Sequence, residues 1–343
     1  MKRVSLYVLL LTLVSVLSCQ KDRPAGDDYA DVNVVVEAPS AVSTKAMGDG
    51  TKAGNLVFAV FDETGAELPE LRQGDWTKSQ SDLVFVAGDD GRPQARVKVR
   101  LAKGKSYTFV CWAQNKALSC YDFSDMNNIR VDYAKDNVSN NEDRDAFYAC
   151  VETGVVTGDV NVSATLVRPL MQLNVGTSPE DLDAARAAGL DAKNLYIAVS
   201  VNRASSRLMT DHEGLSYNTS TAEADIVAPA FAAGKAVVSE SYPDAGREML
   251  VANLTEGKKE YEWLGMNYIL TNIEPDDTRT VTITLYEGTP DNPTKLQLVR
   301  YEVPNVTFQA NRKTNILGNL LTSDGQIEVH VSEMFDNEFN EKP

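Results

Sequence analysis

From Val32 onward the sequence keeps a two-residue rhythm, and that rhythm confines the chain to β-sheet. Val32, Val34 and Val36 alternate with Asn33, Val35 and Glu37, and Val97, Val99 and Leu101 alternate with Arg96, Lys98 and Arg100. Val160, Val162, Ala164 and Leu166, then Val281, Ile283 and Leu285, repeat the pattern against polar or small neighbours. Successive side chains of a strand point to opposite faces, so each run predicts a strand with one wet and one buried face. Leu56 to Phe61, Tyr107 to Ala113 and Leu195 to Val201 alternate less strictly and predict central strands covered on both sides. Asp49-Gly50, Glu63-Thr64-Gly65, Gly88 to Gly91 and Pro290 to Pro293 supply the turns between runs. One helix is expected: Ser178 can cap it, Pro179 opens it, Glu180 and Asp181 favour its dipole, and Gly189 stops it. The result is an all-β reading, two antiparallel β-sandwich domains in tandem over 32–165 and 166–343, with one short helix in the second. No convincing internal repeat is visible in the sequence.

The first residues set the expected location. Lys2 and Arg3 precede an apolar run from Leu6 to Leu17, too short for a transmembrane helix and shaped like a cleavable export signal over residues 1–18. Cys19 follows Ser18 and resembles the lipidated cysteine of a bacterial lipoprotein lipobox, with Leu17 where a smaller residue is commoner. Residues 19–31, polar and turn-forming, are expected to tether lipid to fold. Loss of Lys2 and Arg3 with the signal takes the formal net charge from −16 to −18, which excludes nucleic acid as a partner and leaves anchoring to lipid. Cys111, Cys120 and Cys150 match no zinc spacing and are taken as structural, any disulfide pair left open.

Chemistry is hard to place on this chain. His212, in a turn-like stretch and expected to be exposed, and His330, on the polar side of a strand, have no triad or metal partner at motif spacing. The oxygen-rich stretch from Asp136 to Asp145 lacks calcium-loop spacing and reads as a solvated loop. Trp76, Trp112 and Trp263 lie on separate segments and read as core rather than as a sugar platform. No enzyme, cofactor or metal site is expected.

The C-terminal half carries a family likeness. Trp263 to Leu270 (WLGMNYIL) and Asn311 to Thr322 (NRKTNILGNLLT), with Arg168-Pro169 and Asp145 to Ala149, resemble the fimbrillin-like lipoproteins of Bacteroidales, the type V pilus subunits. The resemblance implies two transthyretin-like domains in tandem. It implies export as an outer-membrane lipoprotein held through Cys19, then a cut after a basic residue that releases the lipid with the first strand. The emptied groove is filled by the C-terminal strand of another pilin subunit, building a fimbrium by donor-strand exchange that supports adhesion to host or bacterial surface ligands. On this chain the displaced strand would carry Val32, Val34 and Val36, and the cut would follow Lys45, in Ser43-Thr44-Lys45-Ala46, or Lys52 before Ala53. The donor strand, within 326–335, would present Ile327, Val329, Val331 and Phe335. Two alternatives stand beside this: a lipid-retained anchor or accessory pilin, and a surface glycan-binding lipoprotein.

Overall fold

A computed structural model describes residues 28–38, 50–88, 91–220, 230–237, 249–254, 257–272, 278–288, 297–322 and 327–331. The first half of the chain supplies β1 (Tyr29–Glu37), β2 (Asn55–Phe61), β3 (Leu83–Val84), β4 (Val86–Ala87), β5 (Pro93–Ala102), β6 (Ser106–Gln114), β7 (Tyr121–Asp122), β8 (Asn128–Val131), β9 (Ala146–Val155) and β10 (Val160–Thr165). The second supplies β11 (Leu170–Thr177), α1 (Pro179–Ala187), β12 (Leu195–Val201), β13 (Arg207–Asp211), β14 (Ser216–Ser220), β15 (Ala230–Lys235), β16 (Leu250–Leu254), β17 (Gly257–Leu270), β18 (Arg279–Glu287), β19 (Gln297–Val306), β20 (Lys313–Gly318) and β21 (Ile327–Val331). The all-β expectation holds.

Each half stacks two sheets. In the first, the sheet β10-β1-β5-β4 faces the sheet β3-β2-β6-β9 across a core of Val32, Val34, Val36, Leu56, Phe58, Val60, Val97, Val99 and Phe109. In the second, β16-β17-β11-β20-β21 faces β15-β12-β18-β19. The two halves share one wiring diagram. Strands β11, β12, β15, β16, β17, β18, β19 and β20 take the places, in order and direction, of β1, β2, β3, β4, β5, β6, β9 and β10. Both halves pair their first strand in parallel with a late one, β1 with β10 and β11 with β20, where strict antiparallel order was expected. Among the described residues, β21 has no counterpart in the first half.

A fifth sheet joins the halves. Its order, β14-β13-β8-β7, mixes two strands from each, and the larger core runs through it without a break from Val57 and Trp112 to Leu173 and Ile283. Sheet β3-β2-β6-β9 is therefore apolar on both faces: Leu56, Phe58 and Val60 point to one core, and Val57, Ala59 and Phe61 to the other. That is why Leu56 to Phe61 and Tyr107 to Ala113 do not alternate. Leu195 to Val201 differs from the expectation, because Tyr196, Ala198 and Ser200 are only half-buried. The helix forms as its caps predict, Ser178 Oγ accepting the Asp181 amide at 3.1 Å and Gly189 ending it at φ 104°.

The oxygen-rich loop is not a solvated one. Asn140 donates to the carbonyls of Lys235 (2.6 Å) and Leu264 (3.2 Å) and accepts from the Met266 amide at 2.6 Å, and Asp136 accepts from Ser119. Its side chains stitch the first half to β15 and β17. Cys111, Cys120 and Cys150 are buried free thiols, and burial pushes both Cys120 and Cys150 up to about 11.

Candidate functional site

β1 lies inside its sheet, between two neighbours. It pairs in parallel with β10, Val32 opposite Val160 through Glu37 opposite Thr165, and antiparallel with β5, Tyr29 opposite Ala102 through Glu37 opposite Gln94. Its inward side chains are sealed, Val32, Val34 and Val36 being 0%, 1% and 0% exposed. Burying each valine contributes about 1.5–3 kcal/mol. The strand begins at Tyr29, within the stretch the sequence suggests is tether, because Ala30 is also buried and the Asp31 amide donates to Asp159 Oδ1 at 2.9 Å. Asn33 adds a side-chain bond to Asn161 at 3.1 Å. The sequence offers no signal for either partner, since both lie 128 residues away.

Without β1, this geometry leaves β5 and β10 each with a bare ladder, above an apolar slot lined by Leu56, Phe58, Val97, Val99 and Phe109. Such a slot would be complementary to an extended chain with apolar side chains at every second position.

The return from β1 to β2 re-enters at Gly50, whose φ of 78° only glycine adopts freely. A Cβ there would come within 2.8 Å of the Phe147 ring. Lys52 is exposed, but it sits in a turn closed by Ala53 N to Gly50 O (3.2 Å) and Gly54 N to Lys52 O (2.9 Å), and Ala53 is 4% exposed. Cys19, Lys45 and Phe335 lie outside the described residues.

Beneath Gly50 is the joint between the halves. Arg168 Nε and Nη2 donate to Asp145 Oδ1 and Oδ2, each at 2.7 Å, and the guanidinium lies 4.8 Å from the Phe147 ring centroid. Tyr148 and Val167 exchange two backbone bonds of 2.8 Å beside it. Thus Arg168-Pro169 and Asp145 to Ala149, which the sequence offers as separate likenesses, form one clamp.

β21 is an edge strand. Among the described residues it pairs only with β20, Gly318 opposite Ile327 through Thr314 opposite Val331, and Val329 is 37% exposed. The NRKTNILGNLLT segment that precedes it is structural. Asn174 Nδ2 donates to Asn315 Oδ1 at 2.8 Å, and the buried Asp181 carboxylate accepts from Thr177 Oγ1 (2.6 Å), Leu321 N (2.7 Å), Thr322 N (3.0 Å) and Thr322 Oγ1. Asp181, read from the sequence as a dipole partner, pins the chain immediately ahead of β21.

No sugar platform forms among the described residues. Trp112 and Trp263 are 0% and 4% exposed, and Trp76 packs edge-on to Phe123. His212 is half-buried rather than exposed, its ring 4.9 Å from Phe61 and its Nε2 2.7 Å from Asn127 Oδ1. An open cavity of about 380 Å³ at the joining sheet is lined by Cys120, Arg130, Tyr133 and Arg207 among others. Among the described residues no group of three His, Cys, Asp or Glu could hold a metal ion, and no helix is long and apolar enough to cross a membrane.

An all-β pair of sandwiches with an inserted first strand is the class this geometry defines. Residues 26–342 match the model of a family of unknown function, DUF6562, and the chain belongs to that family. No curated protein matches the sequence. Among solved structures, the chain is similar to a fimbrial assembly protein of Parabacteroides distasonis, at 15% identity and TM-score 0.42, over 88% of this chain and 95% of that one. It is also similar to the fimbrial anchor protein Mfa2 of Porphyromonas gingivalis, at 10% identity and TM-score 0.38, over 88% of this chain and 97% of that one.

Proposed function

We propose that the protein is a structural subunit of a cell-surface pilus, assembled by strand exchange after proteolysis. The observation that carries this reading is the place of β1. It is the first strand of the fold, yet it fills the middle of a sheet, so one cut in the chain between it and β2 turns a closed sandwich into an open groove. The natural filler is β21, which caps an edge that the matching first half leaves without a strand. Ile327, Val329 and Val331 share one face of that strand, as Val32, Val34 and Val36 share theirs. Three such side chains at about 1.5–3 kcal/mol each, with ladder bonds of about 1 kcal/mol net, offset the cost of association.

Export as an outer-membrane lipoprotein held through Cys19 places the chain at the cell surface, and cutting frees it into the fimbrium. Lys45 is the preferred cut. A protease needs an extended segment in its cleft, and the hydrogen-bonded turn at Lys52 with buried Ala53 does not offer one. The partners are other pilin subunits, with the adhesion ligand carried by the finished polymer. Treatment with a lysine-specific protease is expected to yield laddered oligomers from the wild type, and none from the K45A/K52A double variant. Monomer that persists after N-terminal sequencing confirms the cut would overturn this reading. Protein that stays lipidated in the membrane fraction after protease exposure, its first strand retained, would identify an anchor instead.

A further inference from the structure

The outer face of the slot is charged, and one sign dominates the strand that would remain. Arg96, Lys98 and Arg100 stand in a row on the exposed face of β5, roughly 7 Å apart along the strand. This is unexpected in a chain of net charge −16. In the closed fold, β1 answers that row. Lys98 Nζ lies 2.7 Å from Asp31 Oδ2, Asp31 stands opposite Arg100 in register, and Arg92 Nη1 lies 3.9 Å from Glu37 Oε2. The hydrogen bond from Lys98, with the charges of Lys98 and Arg100, holds the Asp31 carboxyl below the usual carboxylate range. On the other flank, β10 turns the uncharged Asn161, Ser163 and Thr165 outward. Removing β1 therefore takes away two carboxylates and leaves the basic row of β5 facing the vacant lane.

We infer that this row selects the incoming strand by charge: the slot takes a strand of a second copy that carries acidic side chains on its outward face. The apolar inward face seats the strand, and Lys98 and Arg100 choose among apolar strands. The C-terminal segment of this chain meets the requirement. In the alternation that puts Ile327, Val329 and Val331 on one side, Glu328 falls on the other within the expected donor segment, beside His330, and Asp336 and Glu338 continue that side beyond it, the one basic residue, Lys342, coming only next to the end. A like-charged or basic strand would meet repulsion along the row, which is how such interfaces exclude wrong partners. The inference rests on the strand-exchange reading and adds to it the residues that decide which strand is accepted.

The test follows the rate of ladder formation by full-length protein cut with a lysine-specific protease. Wild-type assembly is expected to slow about tenfold between 50 and 500 mM NaCl, because the screening length falls severalfold over that range. K98Q/R100Q is expected to assemble about tenfold more slowly than wild type at low salt and to lose most of that salt dependence. E328Q should weaken assembly in the same direction from the donor side. Because K98Q/R100Q removes support from β1, its thermal transition before cutting is recorded alongside, and if it does not fold the wild-type salt series decides alone. Ladders that form at a rate indifferent to salt and to all these substitutions would overturn charge selection while leaving strand exchange intact. Absence of any wild-type ladder after a confirmed cut would instead remove the exchange reading, and charge selection with it.

Discussion

Arg168 and Asp145 carry opposite charges into a site where both are almost sealed from water, with side chains 4% and 1% exposed. Desolvating two ions is costly, and the pair is stable there because the contact is bidentate and the guanidinium also lies over Phe147. Arg168→Ala strands a buried carboxylate and is expected to lower stability by about 3–5 kcal/mol, read as a shift of the urea midpoint. The double variant D145L/R168M, which removes both charges, should recover much of that loss; a double variant no better than the single would show that the pair itself is what stabilises the joint. His212 gives a second residue-scale expectation. Burial against Phe61 lowers its pKa, with Asp211 opposing the shift. Below about pH 6.5 the unfolded chain then binds the proton more readily than the folded one, so stability falls as pH drops through that window. His212→Gln should flatten the slope between pH 7 and 5.5 in a denaturation series. The carboxyls of Asp31, Asp62 and Asp122 are also shifted down, but they titrate at lower pH and leave that window to the histidine.

The strands differ in how openly the sequence announces them. Val32 to Glu37, Val97 to Leu101 and Val281 to Leu285 alternate cleanly because each has water on one side, and period two is then enforced residue by residue. The ends of α1 were equally legible, since a cap is a local device. What stayed hidden is pairing. Nothing in Val32 to Glu37 says that its neighbour is Val160 to Thr165 or that the two run parallel, because backbone bonds do not depend on side-chain identity. The joining sheet was invisible for the same reason, β7 and β8 having two and four residues and no pattern of their own. For the candidate site, the buried face of β1 was legible, whereas the basic row of β5 had meaning only once β1 lay beside it. On the strand-exchange proposal, β1 would be held after a cut by its ladders and buried face alone. A synthetic peptide of residues 28–38 added in excess should therefore compete for the slot and suppress ladder formation by cut protein. The same peptide with Val32 and Val34 replaced by Asp should not, since charges cannot enter the core. Equal inhibition by the two peptides would argue against a shape-specific groove.

At the scale of the molecule, the duplicated wiring separates what each sandwich requires from what it merely carries. Eight strands close the first half, and the same eight positions recur in the second, so a ninth strand on β20 is not needed to complete that sandwich. β21 adds one ladder of five residues, with Ile327 partly buried and Val329 exposed, a contribution of about 1–3 kcal/mol. The chain ahead of it is fastened independently: Asp181 holds Leu321 and Thr322 to the start of α1 whether or not β21 is docked. On the strand-exchange proposal, the fold would surrender its last strand without losing its root, as a donor must. A chain ending at Thr322 is expected to fold as a monomer with a Tm lowered by no more than about 10 °C, while giving no ladder after protease treatment. Mixed with cut full-length protein, it should still serve as an acceptor, terminating growing ladders and shortening them in proportion to the amount added. A truncated chain that failed to fold would instead make β21 part of the second sandwich. In that case the polymer would need another donor, and the equivalence of the two halves would end at their topology.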